Sequence, residues 1–128
     1  MARPVVLLDT SVLIEYFRKK DKADTVLFGH MRSGTGLRIS AVTEYELYAG
    51  VAERHRGFWQ ELLKHVEVVP FASLHAHRAV ELNAALKRAR KQLDIADLFI
   101  AATALSEQLP IVTLNKRHFN RVEGLDVR

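Results

Sequence analysis

The sequence contains no cysteine, which excludes disulfide bonds and thiolate metal sites. Proline and glycine are scarce, with three and six residues among 128, and they form no linker. No hydrophobic run approaches the ~20 apolar residues of a membrane span, and the residues before the first apolar run are too few for a signal-peptide core. We therefore expect one domain over residues 1–128, located in the cytoplasm and without membrane association.

The overall composition is that of an ordinary soluble globular protein, with 48% hydrophobic and 27% charged residues. The 19 Lys and Arg residues exceed the 15 Asp and Glu residues, so the formal net charge is +4. A basic excess of this size suits a polyanionic partner such as nucleic acid, although it also occurs on plain soluble enzymes. Charge alone thus favours a nucleic-acid partner without identifying one.

Hydrophobic periodicity predicts strands that alternate with helices. Short apolar runs typical of strands occupy residues 5–8, 37–40, 66–71, 110–113 and 125–127. Helical patterns occupy residues 10–20, 22–32, 41–49, 56–65, 73–91 and 94–107. Thr10 or Ser11 is expected to cap the first helix. The alternation indicates an α/β sandwich with a mostly parallel sheet of four to five strands, in which ligands bind beyond the carboxyl ends of the strands.

Three acidic residues stand inside apolar sequence, namely Asp9, Glu46 and Asp97. Asp9 ends the first strand. Glu46 follows Val42 at helical spacing, and Asp97 opens a helix on the same face as Ala101. A carboxylate rarely enters a core unless it is paired or binds a metal. Because these segments contain no His or Cys, the expected metal is a hard cation held by oxygen ligands.

Each acid also has an ordinary structural explanation. Asp9 can cap the following helix, Asp97 can complement a helix dipole, and Glu46 can face water after a small rotation. Three such coincidences are needed together, so one shared metal site is the favoured interpretation. Asp94 lies on nearly the same helix face as Asp97 and is an alternative ligand. Its position at the start of the helix favours a capping role.

Four segments, in order, resemble the signatures of PIN-domain ribonucleases: LLDTSVLI at 7–14, TEYELYAG at 43–50, DLFIAATA at 97–104 and VTLNKRHF at 112–119. Their order, spacing and total length are similar to those of VapC-type toxins of VapBC toxin–antitoxin pairs. The resemblance covers almost the whole chain. It implies a PIN-like three-layer sandwich and Mg²⁺-dependent endoribonuclease activity, with Mn²⁺ as a second usable metal. It also implies a homodimer and a small antitoxin protein as partner.

The resemblance assigns roles position by position. Asp9, Glu46 and Asp97 match the three main acids. Asn115 matches a fourth polar position that is often Asp in the wider family, and these four are the expected catalytic residues. Asp9 and Asp97 are expected to bind the metal directly, whereas Glu46 binds it directly or through water, or orients the attacking water. Polar groups beside these ligands are expected from Thr10, Asp94 and Thr113.

Basic residues are needed to offset the acidic pocket and to hold an RNA backbone. The candidates that follow the end of a late strand are Lys116, Arg117 and Arg121.

The histidines are not expected to form a metal site. His75 and His77 are two residues apart and point in different directions on a helix. His118 is expected to pack beside Phe119, with contact to the substrate as the alternative.

Other functions fit parts of the pattern. A phosphoacceptor signalling domain needs an Asp at the end of a middle strand, and residues 66–71 contain none. A phosphatase with an aspartate nucleophile needs a second Asp two residues after Asp9, where Ser11 stands. A catalytically silent PIN-like protein-interaction module is expected to have lost a main acid, and all three are present. The sequence therefore favours a toxin ribonuclease that hydrolyses RNA with a metal-activated water.

Overall fold

Four parallel strands form the central sheet of the computed structural model, which describes residues 3–128. Residues 1 and 2 of the expected 1–128 domain lie outside the described part. The strands are β1 (Val5–Leu8), β2 (Gly36–Ser40), β3 (Glu67–Val69) and β4 (Ile111–Val112). They lie side by side in the order β3-β2-β1-β4, and Val127 adds an isolated parallel bridge to Ile111. The predicted parallel α/β architecture is confirmed.

Seven helices lie within residues 3–128. They are α1 (Thr10–Arg18), α2 (Val26–Arg32), α3 (Ala41–Ala49), α4 (Arg56–Leu63), α5 (Ser73–Arg88), α6 (Ile95–Ser106) and α7 (Lys116–Phe119). None of the helices in this part of the chain is long and apolar enough to span a bilayer.

Strand β1 is buried on both faces and so separates two layers of helices. Val6 and Leu8 contact one hydrophobic cluster, which includes side chains of α1 to α4. Leu7, which points to the opposite face, contacts a second cluster that includes α6 and α7. Successive residues of a strand point to opposite sides, so this division makes the fold a three-layer sandwich. The apolar run that ends at Asp9 is thus the centre of the fold.

The second helix is shorter than the sequence predicts. A single helix over residues 22–32 is wrong, because a 3-10 turn covers Lys22–Asp24 and α2 begins only at Val26. Thr25 between them has an extended backbone, and its hydroxyl accepts the backbone N–H of Phe28 at 3.3 Å. The same hydroxyl donates to the carbonyl of Lys22 at 2.6 Å. A Thr side chain that bonds to nearby backbone groups competes with helix continuation.

Other element ends also differ from the predictions. Helix α5 stops at Arg88 rather than at 91, because Arg90 has a left-handed backbone (φ 56°) and the N–H of Lys91 returns to the carbonyl of Leu86. Strand β3 is limited to Glu67–Val69, and the last predicted strand is reduced to the bridge at Val127. Helix α7 is too short to show a hydrophobic period, and the sequence did not predict it.

Neither Thr10 nor Ser11 caps α1, contrary to the sequence prediction. Asp9 occupies the residue before the helix, with φ −74° and ψ 154°, and its side chain makes no capping hydrogen bond. The three side chains are instead hydrogen-bonded at the carboxyl edge of the sheet. The side chains at the start of α1 therefore hydrogen-bond to acidic residues at that edge and do not cap the helix.

Buried His75 joins the start of α5 to the end of α6. Its Nδ1 accepts the backbone N–H of Ala72 at 2.8 Å, and its Nε2 lies 3.0 Å from Oε2 of Glu107. A ring nitrogen that accepts an N–H carries no proton, so the neutral ring is protonated on Nε2 and donates to Glu107. His77 is exposed on another side of α5. The prediction that these two histidines diverge is confirmed.

Replacing His75 with Ala should lower the free energy of unfolding by about 2–4 kcal/mol, because it leaves the Ala72 N–H and the Glu107 carboxylate unpaired and opens a void. Urea denaturation followed by circular dichroism measures this loss. His77→Ala on the same helix is the control and should change stability by less than about 0.5 kcal/mol. Equal effects of the two substitutions would contradict the structural role of His75.

Candidate active site

A cleft of 430 Å³ opens at the carboxyl edge of the sheet, where α/β proteins bind ligands. It brings together all four of the expected catalytic side chains. Its lining residues are Asp9, Thr10, Ser11, Ile14, Glu15, Arg18, Glu46, Asp97, Leu114 and Asn115. The site thus combines β1, α1, α3, α6 and the loop after β4.

Asp9 is the most deeply placed acid of the cleft, with 2% of the residue exposed. Its backbone N–H donates to the carbonyl of Val112 at 2.9 Å, which fixes it against β4. Its Oδ2 accepts two hydroxyl hydrogen bonds, from Ser11 at 2.7 Å and from Thr113 at 2.8 Å. Bonds to the charged form offset the loss of water around a buried carboxylate.

The same two hydroxyls hold the loop that carries Asn115. The Oγ of Ser11 accepts the backbone N–H of Leu114 at 3.0 Å, and the Oγ1 of Thr113 accepts that of Asn115 at 2.8 Å. Thr113 lies beside Asp9 as predicted. The sequence pattern predicts a helix cap at Ser11 and no contact with Asp9, although a hydroxyl two residues after a buried acid can reach back to it.

Glu46 extends from α3 toward the start of α1. It is half-buried, and its Oε1 accepts the hydroxyl of Thr10 at 2.6 Å. The Thr10 hydroxyl also lies 3.0 Å from that of fully buried Thr43. Thr10 therefore orients Glu46 in the cleft, in agreement with the prediction that it accompanies the acids.

Asp97 lies in the first turn of α6 and is positioned by Asp94. The Oδ1 of Asp94 accepts the backbone N–H of Asp97 at 3.0 Å, so Asp94 is the cap of α6, as predicted. Asp94 is exposed and is not among the residues that line the cleft. The helix-face prediction thus assigns the correct acid of the pair to the cleft.

His118 lies next to Asp97 rather than serving only as a packing residue. Its Nδ1 is 3.5 Å from Oδ2 of Asp97, and nearly half of its side chain is exposed. Phe119, by contrast, is fully buried in the core. The prediction that His118 packs beside Phe119 is wrong, because the four residues of α7 turn the imidazole back toward α6.

The carboxyl group of Asp97 holds its proton unusually tightly. Burial, followed by the negative charges of Asp94 and Asp9, raises its pKa from 3.8 to about 6, while His118 acts in the opposite direction. Crowded carboxylates of this kind are costly when they are all ionised. A bound cation would remove the cost, so the electrostatics of the cleft fit a metal site.

The donor set fits Mg²⁺ or Mn²⁺. Both hydrogen bonds to Asp9 from the described residues use Oδ2, which leaves Oδ1 available as a ligand. Within residues 3–128, no three His, Asp or Glu side chains are close enough to enclose a metal by themselves. Mg²⁺ needs only one or two carboxylates because it keeps several waters and binds substrate phosphates. Asp9 and Asp97, which line one cleft with Glu46, could hold such a cation.

None of the three predicted RNA-binding residues, Lys116, Arg117 and Arg121, is among the residues that line the cleft. Lys116 and Arg117 are exposed on α7, directly after Asn115. Arg121 is turned away, since its Nη1 donates to the carbonyl of Gln92 at 2.8 Å and it lines another cleft. The one Arg or Lys among the residues that line the acidic cleft is Arg18 of α1, which sequence reasoning missed.

Comparison with protein families and curated proteins gives consistent matches. The model of the PIN domain matches residues 6–125. The chain is 31% identical to "Ribonuclease VapC1" of Methanocaldococcus jannaschii, over 96% of the chain and 85% of that protein. It is 32% identical to "Ribonuclease VapC10" of Mycobacterium tuberculosis, over 94% of the chain and 90% of that protein.

Solved structures share the fold. A DNA-bound VapBC structure from Salmonella typhimurium matches with a TM-score of 0.86 and 24% identity, over 99% of this chain and 98% of that chain. A DNA-bound VapBC2 structure from Rickettsia felis matches with a TM-score of 0.85 and 21% identity, over 97% of both chains. At this level of identity the matches show the three-layer fold alone.

Asp97→Asn should stabilise the metal-free protein at neutral pH. Because the pKa of Asp97 is raised, the folded protein holds this proton more tightly than the unfolded chain, so stability falls as pH rises from about 4 to about 6. Asn carries no such charge, so the variant should gain about 2 kcal/mol at pH 7 and nothing below pH 4. Denaturation in EDTA across this pH range measures the difference.

Asp24→Asn is the matched control, since the Asp24 side chain is 79% exposed and forms a surface ion pair with Lys19. Its effect on stability should be small at every pH. A gain for Asp97→Asn that is the same at pH 4 and pH 7 would show that its carboxylate is not crowded.

Proposed function

The chain belongs to the PIN-domain family and to its VapC group, and from this we propose that it is a Mg²⁺- or Mn²⁺-dependent endoribonuclease that acts as the toxin of a toxin–antitoxin pair. The single observation that carries the proposal is the buried carboxylate of Asp9 in one cleft with Asp97 and Glu46. Relatives named as VapC ribonucleases support the reaction class.

The residues of the cleft have distinct chemical tasks. A divalent cation, when bound by Asp9 and Asp97, would stabilise charge on a phosphate and activate water. Asp9 is held rigidly by the Ser11 and Thr113 hydroxyls, so little reorganisation is needed when it binds a ligand. The same two hydrogen bonds fix the orientation of the Asp9 carboxylate and therefore the position of its Oδ1.

Glu46 and Asn115 complete the hydrolytic site. The Thr10 hydroxyl occupies Oε1 of Glu46, so its other carboxylate oxygen can accept a hydrogen bond from the attacking water and orient it. Asn115 offers a neutral amide that can donate to a phosphate oxygen. Since water is the nucleophile, the products are expected to carry 5′-phosphate and 3′-hydroxyl ends.

We expect the purified chain to cleave RNA internally in Mg²⁺ or Mn²⁺, to stop in EDTA and to recover when the metal is restored. Labelled RNA on a denaturing gel measures the cleavage, and phosphatase and ligase treatment identifies the ends. Metal-independent cleavage that leaves cyclic phosphates would mean that the 2′-hydroxyl of the substrate attacks, which contradicts the metal assignment. No cleavage in any divalent metal would favour the silent interaction module.

Charge-neutralising variants make the same assay residue-specific. Asp9→Asn and Asp97→Asn should each lower cleavage by at least about 100-fold, because each removes a charged ligand. Asp94→Asn should cost less, since its carboxylate caps α6 and lies outside the cleft. Asp24→Asn again serves as the exposed control. A larger loss for Asp94→Asn than for Asp97→Asn would reverse the assignment of the ligand.

A protein partner can inhibit this site by placing a positively charged side chain among the carboxylates of the cleft. An Arg side chain from an antitoxin can pair bidentately with a cleft carboxylate and exclude the metal.

A second surface suited to a partner lies near the end of α1. It is an apolar groove of 540 Å³, lined by Tyr16, Met31, Gly57, Phe58, Glu61, Leu62 and His65. Such a groove suits the apolar face of an amphipathic antitoxin helix. We also expect a homodimer and action on RNA in the cytoplasm.

Expression of this chain alone should arrest growth, and co-expression of the protein encoded immediately upstream should restore it. The co-purified complex should have little ribonuclease activity, because the partner covers the acids. Asp97→Asn expressed alone is the control and should be harmless. Normal growth with the unmodified, soluble chain would contradict the toxin assignment while leaving the ribonuclease assay to decide the chemistry.

A further inference from the structure

One wall of the acidic cleft extends well beyond the acids. Thr10, Ile14 and Arg18 recur every four residues along α1, so they lie on one face of the helix, and all three line the cleft. From Thr10 to Arg18 this face extends about 12 Å at the rise of an α-helix. That length exceeds what hydrolysis of a single phosphodiester requires.

The guanidinium of Arg18 forms no ion pair with the other described residues. Arg18 is also exposed. Glu15, three residues earlier on the same wall, could pair with it. Its Oε1 instead accepts the backbone N–H of Val26 at 2.9 Å and so caps α2. Arg18 therefore keeps its donors for a ligand, in a cleft whose other charged groups are acids.

The direction of the Arg18 side chain suits a ligand that enters the cleft. Helical side chains lean toward the amino end of their helix, which brings an Arg in the last turn of α1 toward the acids, and Arg18 does line their cleft. A guanidinium matches the geometry of a phosphate and holds it with two parallel hydrogen bonds.

Two apolar side chains, Ile14 and Leu114, line the same cleft as Arg18 and the acids. Ile14 packs partly on the core and lines the cleft on its other side. Leu114 is 45% exposed, although the backbone N–H of Leu114 is held by Ser11 and the loop is fixed. An exposed leucine on a fixed loop at the rim of a polar cleft is available to contact an apolar ligand surface. The face of a nucleobase is such a surface.

We propose that Arg18 binds a phosphate of single-stranded RNA beyond the scissile one, and that Ile14 and Leu114 contact the base that lies between them. This inference rests on the proposed endoribonuclease function. We call Thr10, Ile14 and Arg18 the α1 wall. Its length then determines how many nucleotides bind to the protein on one side of the scissile bond. Base pairing would block contact with a base face, so the wall selects unpaired RNA.

Arg18→Gln should raise KM for an RNA oligonucleotide about tenfold and leave kcat nearly unchanged, because the contact is equally strong in the ground and transition states. The loss of one phosphate contact should also reduce the slope of log Kd against log salt concentration by about 0.7. Lys20→Gln is the control, since Lys20 is exposed two residues away and does not line the cleft. Neither kinetic constant should change in that variant.

Shortened substrates locate the contact. An oligonucleotide with a mapped cleavage position is trimmed one nucleotide at a time from each end, and KM is measured for the unmodified chain and for Arg18→Gln. The two KM values should converge once the phosphate bound by Arg18 is removed, and from one end only. Leu114→Ala should raise KM for substrates that retain the adjacent base and not for one with an abasic sugar there.

The outcomes separate this inference from the function on which it rests. If the unmodified chain cleaves no RNA, the endoribonuclease proposal fails first. If it cleaves RNA and Arg18→Gln has the KM and salt dependence of the unmodified chain, the α1 wall proposal alone is overturned. A lower melting temperature for Arg18→Gln with unchanged KM would assign Arg18 to the dipole of α1 instead.

Discussion

The buried carboxylate of Asp9 is the constraint from which the rest of the structure follows. A charge at this depth is tolerable only when hydrogen-bond donors surround it, and the donors come from two sources. Ser11 belongs to the following helix, whereas Thr113 directly follows β4, 104 positions away in the sequence. The arrangement therefore fixes the start of α1, the register of β1 against β4 and the loop of Asn115 at once.

The second determinant is a balance of charge around the same edge. Asp97 has a raised pKa because burial and two neighbouring acids oppose its ionisation, and His118 only partly offsets them. The fold thus stores unfavourable repulsion where a ligand of opposite charge can release it. Arg18 lines the same cleft as the acids, so one cleft offers carboxylates to a cation and a guanidinium to a phosphate.

The sequence predicted the position of a residue where that position follows from a regular strand or helix pattern. Asp9 could be assigned because parallel strands end at a common edge, and Asp97 could be told from Asp94 because one faces inward and the other caps α6. Ser11, His118 and Arg18 escaped prediction for separate reasons. A hydroxyl that reaches back two residues, a four-residue helix and a charged residue at a helix end leave no periodic signal. Thr25 likewise ended a helix through its own side chain, where composition favoured continuation.

The bond between Thr113 and Asp9 joins residues 104 positions apart in the sequence. Contacts of such separation form late, because the loop that they close must be ordered first. During synthesis, Asp9 leaves the ribosome long before its partner strand exists, and chain growth is slow compared with the folding of a small domain. The nascent chain therefore completes this centre only after residue 113 has left the ribosome. Until then, the growing chain lacks the hydroxyl of Thr113, one of the two that hold the carboxylate of Asp9.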